Sequence, residues 1–289
     1  MKKSQIGILV AGLLAATQAS AIVVTPTNSG TTLANNILGS GITISNVQLQ
    51  GANGAAGTFT GGGATFGIES GIILTSGLAK SAEGPNNSDG ASTINGVGGS
   101  SALNSLGYVT QDATVLSFDF TSAGGDLFFN YVFASEEYNE YVNSSFNDVF
   151  AFFLDGVNIA TIPGTNTPVS INNLNCGNPY GSANNHCNLF HNNDLTDGSG
   201  GLNTQYDGFT SVLTATALGL TAGTHKMIIA IADVGDSQLD SGVLIQAGSF
   251  SDTPPPSTNV PEPAPLALLA SSLLGMGLFV RRRKLTTTL

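Results

Sequence analysis

Two acidic segments carry most of the groups in this chain whose types and spacing could do chemistry. In FASEEYNEYVNSSFNDVF, Glu136, Glu137, Glu140 and Asp148 lie between two apolar runs, and in ADVGDSQLDSG, Asp233, Asp236 and Asp240 follow another. Carboxylates crowded together with almost no cation nearby repel one another unless solvent, a proton or a bound cation relieves them. Gly and Ser between the acids let a loop turn tightly while offering only oxygen, the donor set that calcium takes. The expected ion is therefore Ca2+, with Glu136, Glu137, Asp148, Asp233, Asp236 and Asp240 as its ligands. The spacing is not that of an EF-hand, and the plainer alternative is a pair of solvated polar turns.

The same carboxylates admit a hydrolase reading, with Glu136 or Glu137 working against Asp148 as acid and base. Adjacent residues on an extended segment point to opposite faces, so the two glutamates do not make one catalytic pair. The chain has no G-x-S-x-G, H-E-x-x-H or Walker loop, and His225 stands alone in a strand. The expectation is a non-enzymatic protein. A carbohydrate-binding module is a further alternative, with Tyr108, Tyr138, Tyr141, Tyr180 and Tyr206 as stacking faces. The absence of tryptophan weakens it.

Strands must position these loops. Ile42 to Leu49 alternates with a phase shift after Asn46, a strand with a bulge. Thr58 to Ile68 and Gly71 to Ser76 read as strands, and LANNIL allows at most a short helical turn. Gly77 to Gly107 is a long loop of Gly, Ser, Asn and Ala, a length that is usually functional or mobile. Thr114 to Thr121 alternates with one face to solvent, whereas Phe128 to Ala134 is apolar on nearly both faces and belongs mid-sheet. Val149 to Leu154 ends at an Asp155–Gly156 turn that returns as a hairpin. Phe209 to Ala217, Thr224 to Ala232 and Val243 to Phe250 complete the pattern. About ten strands with Gly- and Asn-rich turns predict an all-β fold, an antiparallel jelly-roll-like β-sandwich. Both acidic loops follow central strands, so they are expected to meet at one end of it.

Cys176 and Cys187 sit in the Asn- and Gly-rich segment from Val169 to Gly208. In an exported chain they are expected to form a disulfide, closing a loop of about ten residues and contributing roughly 2 to 3 kcal/mol. His186 and His191 beside Cys187 leave zinc as the alternative, at a spacing that matches no common zinc motif.

Export is indicated by residues 1–21: Lys2 and Lys3, an apolar core, then Ala19, Ser20 and Ala21, the pattern of a signal peptide for signal peptidase. At the other end a Pro-rich linker, 253–263, leads to an apolar segment and basic cluster, 264–284, and a short tail, 285–289. The apolar part is expected to be a single C-terminal hydrophobic helix, held in the inner membrane with the basic cluster inside. Val260, Pro261, Glu262 and Pro263, then the apolar segment, then Arg281, Arg282 and Arg283, resemble a PEP-CTERM sorting signal. That resemblance implies processing by an exosortase in an exopolysaccharide-producing Gram-negative bacterium.

Six of the 8 basic residues lie in these ends, leaving Lys80 and Lys226. Of the 19 acidic residues only Glu262 does, so the body holds 2 basic against 18 acidic residues, a formal charge of −16. Such a surface argues against nucleic acid, whose phosphates are bound by Lys and Arg.

Taken together, YVFASEEYNEY, FNDVFAFFLDG, NIATIPG, PVSINN, YDGFTSVLTA and IAIADVGDSQLDSGV are similar to the choice-of-anchor L domain. The resemblance spans roughly Thr31 to Phe250, within a body of residues 22–252. It implies a secreted, β-rich surface module carried on different C-terminal anchors, with no established biochemical activity. The expected role is adhesion or biofilm structure at the cell surface or in the exopolysaccharide matrix, with polysaccharide or other surface proteins as partners.

Overall fold

A computed structural model describes residues 21–197 and 201–255. The signal peptide up to residue 20 and the hydrophobic helix and sorting motif, all beyond residue 255, lie outside the described residues.

Thirteen strands are found among the described residues. They are β1 (Val23–Pro26), β2 (Ile42–Gln50), β3 (Ala56–Thr60), β4 (Ser70–Thr75), β5 (Thr110–Ser122), β6 (Leu127–Ser135) and β7 (Val149–Leu154), followed by β8 (Val157–Asn158), β9 (Phe190–Asn192), β10 (Gly208–Thr210), β11 (Leu213–Ala217), β12 (His225–Val234) and β13 (Ser241–Gln246). They form two antiparallel sheets, a sandwich of the kind the strand pattern predicts. The larger runs β1-β3-β4-β13-β6-β10-β9, with β11 continuing beside β6, and the smaller runs β2-β5-β12-β7-β8.

Alternation along the strands sends every second residue to the core between the sheets. Phe129, Tyr131 and Phe133 of β6 face Phe150 and Phe152 of β7 there, with ring centroids 4.8 Å apart for Phe133–Phe150 and 4.9 Å for Phe129–Phe152. Such ring pairs add about 0.5–1.5 kcal/mol each beyond the area they bury. The alternate residues of β6, Val132 and Ala134, are equally buried in a second apolar layer on the outer face of the larger sheet. A third layer, built on Ala151, Phe153, Ala230 and Ala232, covers the smaller sheet. Two covered faces explain why β6 and β7 read as nearly continuous apolar runs.

Four readings are corrected. The expected strand from Thr58 to Ile68 stops at Thr60, where Gly61 takes φ 74°, and a helical turn, α2 (Gly63–Phe66), lays Phe66 against Phe209 at 5.0 Å. LANNIL forms part of an eight-residue helix, α1 (Gly30–Ile37), because Ser29 caps it by accepting from Thr32 N at 3.2 Å while Leu33, Ala34 and Ile37 share a buried face. Phe209–Ala217 is interrupted between β10 and β11, both of which pair with β6. The hydroxyl of Thr210 accepts from Phe133 N there at 3.1 Å. The long loop from Gly77 contains a short helix, α3 (Ser101–Asn104), whose Leu103 roofs the third layer. The bulge in β2 is where the sequence places it: pairing with β5 shifts between Ser45 and Gln48, and Asn46 has φ 53°.

Candidate functional site

The two acidic segments do meet at one end of the sandwich, and strand parity divides their carboxylates between two faces. Glu137 has the parity of Phe133 and Ser135, Asp148 that of Phe150, Asp233 that of Ile231, and Ser241 that of Val243, so these groups gather where the inter-sheet core ends. Glu136 has the parity of Val132 and Ala134 and lies on the outer face of the larger sheet.

In the inter-sheet group, Asp148 is fully satisfied: Val234 N donates to Oδ1 at 3.0 Å and Ser241 Oγ to Oδ2 at 2.7 Å. Asp233 is not. It is 0% exposed, and no backbone N–H reaches its oxygens. The Ser76 hydroxyl is near enough to donate to it and favours its charged form, while accepting from Ser241 N at 3.0 Å. Glu137, 1% exposed, has Oε2 unpartnered and lines a cavity of about 180 Å³ together with Asp236, Tyr141 and Phe146.

Burial first, and then the neighbouring negative charges, drive all of these groups up. Glu137 is pushed to about 9 by burial with Asp236, Asp233 and Glu140 beside it. Asp233 and Asp148 rise well above the carboxylate range by burial, reinforced in Asp233 by Asp148 and in Asp148 by Glu137. Asp240 is raised to about 6 by burial, partly offset by the N–H of Thr93. Among the described residues no Lys or Arg counters them: Lys80 pairs with Glu83 at 3.8 Å, and Lys226 is exposed on β12. Charge of this kind requires a proton or a cation to neutralise it.

The six expected ligands therefore do not share one cavity. Glu137, Asp148 and Asp233 form the inter-sheet group, Glu136 and Asp240 belong to the outer face, and Asp236 is half-buried, using Oδ1 to accept from Gln238 N at 3.0 Å. Among the described residues no group of three or more His, Cys, Asp or Glu side chains forms a ready-made metal cage. A cation at this end would draw on one or two carboxylates together with hydroxyl and carbonyl oxygens, a mixture that suits calcium.

The sequence reading missed Asp207, Asp112 and Asp194, all buried at this end. Asp112 supports the long loop, accepting from Val97 N at 2.7 Å and Asn95 N at 3.0 Å, and Asp194 caps a turn through Thr196 N at 2.6 Å. A single Asp apart from other acids gives little signal; the one legible cue was the Asp–Gly step of YDGFT, immediately before β10.

Cys176 and Cys187 are joined in a disulfide, which removes their sulfurs as zinc ligands. His191 instead faces Ser211 Oγ at 3.0 Å. His225 does not stand alone: its Nδ1 meets Asp155 Oδ2 at 2.6 Å and its Nε2 meets Thr221 O at 2.9 Å. Tyr138 and Tyr206 are fully buried and offer no face to a sugar, while Tyr141 packs on Phe146, Tyr180 on Phe190 and Tyr108 on the third layer.

A two-sheet sandwich with buried carboxylates at one end and a disulfide-closed loop is an extracellular β-module in class. The choice-of-anchor L domain matches residues 22–251, and the chain belongs to that family of surface-anchored extracellular proteins. No curated protein and no solved structure matches it.

Proposed function

We propose that this protein is an exported, non-enzymatic surface or matrix component whose inter-sheet acidic group binds calcium, and that the ion fastens the loops of one end of the sandwich for an adhesive or biofilm-structural role. One observation carries the reading: Asp233, wholly buried with no backbone N–H and only the Ser76 hydroxyl near its oxygens, beside Asp148 and Glu137. Glu137 and Asp236 on the neighbouring cavity give an ion a way in. A ligand that binds only the folded state stabilises it by roughly 2.7 kcal/mol at a hundredfold excess over its dissociation constant. Thermal unfolding of the purified exported protein, stripped with EDTA and then given calcium, should show a rise of several degrees that magnesium does not reproduce. Superimposable curves with and without calcium would remove the ion from the proposal.

The C-terminal segment is proposed to be a PEP-CTERM signal handled by an exosortase, on the strength of Val260–Pro263, the apolar run and Arg281–Arg283 in that order. Mass spectrometry of the mature protein should find the basic tail gone. An intact Leu289 in cells that possess the enzyme would count against it.

A further inference from the structure

The outer face of the larger sheet carries a second group of carboxylates that the inter-sheet reading does not use. Sheet register places its members. Ser135 of β6 pairs with Gly208 of β10 and with Ser241 of β13, and Gly208 pairs with Asn192 of β9. One rung further on, Asp240, Glu136, Asp207 and Asn193 lie side by side across four neighbouring strands. Backbone bonds continue the row, from Glu136 N to Asp240 O at 3.1 Å and from Asn193 N to Asp207 O at 2.7 Å. Residues opposite one another in a sheet share a face, so Glu136, Asp207 and Asp240 all project outward. At the end of the row Gly77 leaves the space that the Asp240 carboxylate occupies; a Cβ there would collide with it.

The long loop from Gly77 to Gly107 closes over this row and meets each acid. Ala91 N donates to Glu136 Oε2 at 3.3 Å, Asn86 Nδ2 to Asp207 Oδ1 at 2.6 Å and Thr93 N to Asp240 Oδ1 at 3.0 Å. Glu136 Oε1 and Asp207 Oδ2 are buried and take no N–H donor, their two carboxyls lying against each other, while Asp240 is served by Leu78 N as well; all three residues are 0% exposed. Glu136 and Asp207 face each other directly, and burial holds both well above the carboxylate range, reinforced in Glu136 by Asp207 and in Asp207 by Asp194, Glu140 and Asp89.

From this geometry we infer a second divalent-cation site, bridged by Glu136 and Asp207, flanked by Asp240 and roofed by residues 86–93. The free oxygens are hard donors of one sign, which selects a calcium-like ion over a soft metal. Such an ion would tie the loop to the sheet edge-on, joining segments that are separated by more than a hundred residues in the chain. Parity puts Glu136 and Asp207 on the face of β6 opposite Glu137, so the site draws on different ligands from the inter-sheet one, while Asp240 is close enough to Asp148 and Asp233 to raise both.

Counting ions tests it. Native mass spectrometry and calorimetric titration of the metal-free exported protein with calcium chloride should give two ions per chain. Asp207→Asn and Asp233→Asn should each leave one, and the double variant none. Limited proteolysis supplies a second readout: calcium should protect the 86–93 segment in the parent and in Asp233→Asn, but not in Asp207→Asn. Should Asp207→Asn fail to fold, Glu136→Gln serves for the same count. A single ion that is lost with Asp233→Asn and unaffected by Asp207→Asn would overturn this site, leave the inter-sheet reading standing, and mean that Glu136 and Asp207 share a proton. A single ion lost only with Asp207→Asn would do the reverse, and no ion at all would overturn both.

Discussion

Strand β12 begins and ends beside a carboxylate, and its two ends are solved differently. At its start His225 lies against Asp155 at 2.6 Å, and Lys226 N donates to the other oxygen at 2.8 Å. Burial works against the charged Asp155, but these two bonds outweigh it and hold the group below its ordinary value, while the same contact raises His225. At its far end Asp233 has no base beside it among the described residues and no N–H donor, only the Ser76 hydroxyl, and burial drives it the opposite way. The difference teaches what an acidic residue is for: a carboxylate supplied with donors stabilises the fold as it stands, while one deprived of them needs something brought from outside.

Three substitutions sharpen that contrast. The largest effect is expected at Asp112, which sits in the acidic end but is satisfied. Asp112→Ala strands two loop N–H groups and should cost roughly 2 kcal/mol in chemical denaturation, with or without calcium. A cost that vanishes when calcium is withdrawn would place Asp112 among the ion's ligands instead. Next, Asp233→Asn removes a buried carboxyl that must take up a proton or a cation to stay inside. Metal-free protein should gain on the order of 1 kcal/mol, read as a higher melting temperature in EDTA, while losing part of its response to calcium. Destabilisation in EDTA would show that Asp233 is already satisfied and break the comparison at its centre.

The smallest effect belongs to the other end. Asp155→Asn should cost at most about 1 kcal/mol, since that carboxylate is half exposed and screened. Its pH profile is the informative part. His225 has its folded value raised, so its contribution is full below about 6.5 and fades as pH rises through the raised value. Asp155 is lowered, so its contribution is present above about 3.9 and fades as pH falls through the lowered value. The difference in melting temperature between parent and variant should therefore peak between these limits. A difference independent of pH across them would mean that the pair is not ionised.

Much of the architecture was legible because burial repeats along the chain. The apolar runs at Phe128–Ala134 and Val149–Leu154 could only be strands covered on both sides, and the half-polar alternation of Thr114–Thr121 could only be a strand with one side in the core. Glycines misled where they ended an element: the run through Gly61–Gly63 has strand composition around it, but positive φ at Gly61 turns the chain into α2. LANNIL reads as only a short turn when Ser29, which caps α1, is not weighed with it.

The candidate site was legible in part, and the division has a physical cause. Sequence alone established that acidic loops follow central strands, that the body holds two basic residues, and that neighbouring glutamates must part company across a strand. Only tertiary structure decided which carboxylates meet. Asp207 comes to Glu136 through the register of β10 on β6, and Asp233 comes to Asp148 through the register of β12 on β7 in the smaller sheet. Parity along a strand is a local property that each residue carries with it, whereas register between strands is set by the packing of the whole sandwich, so the sequence could say which way Glu136 and Glu137 point but not what they point at.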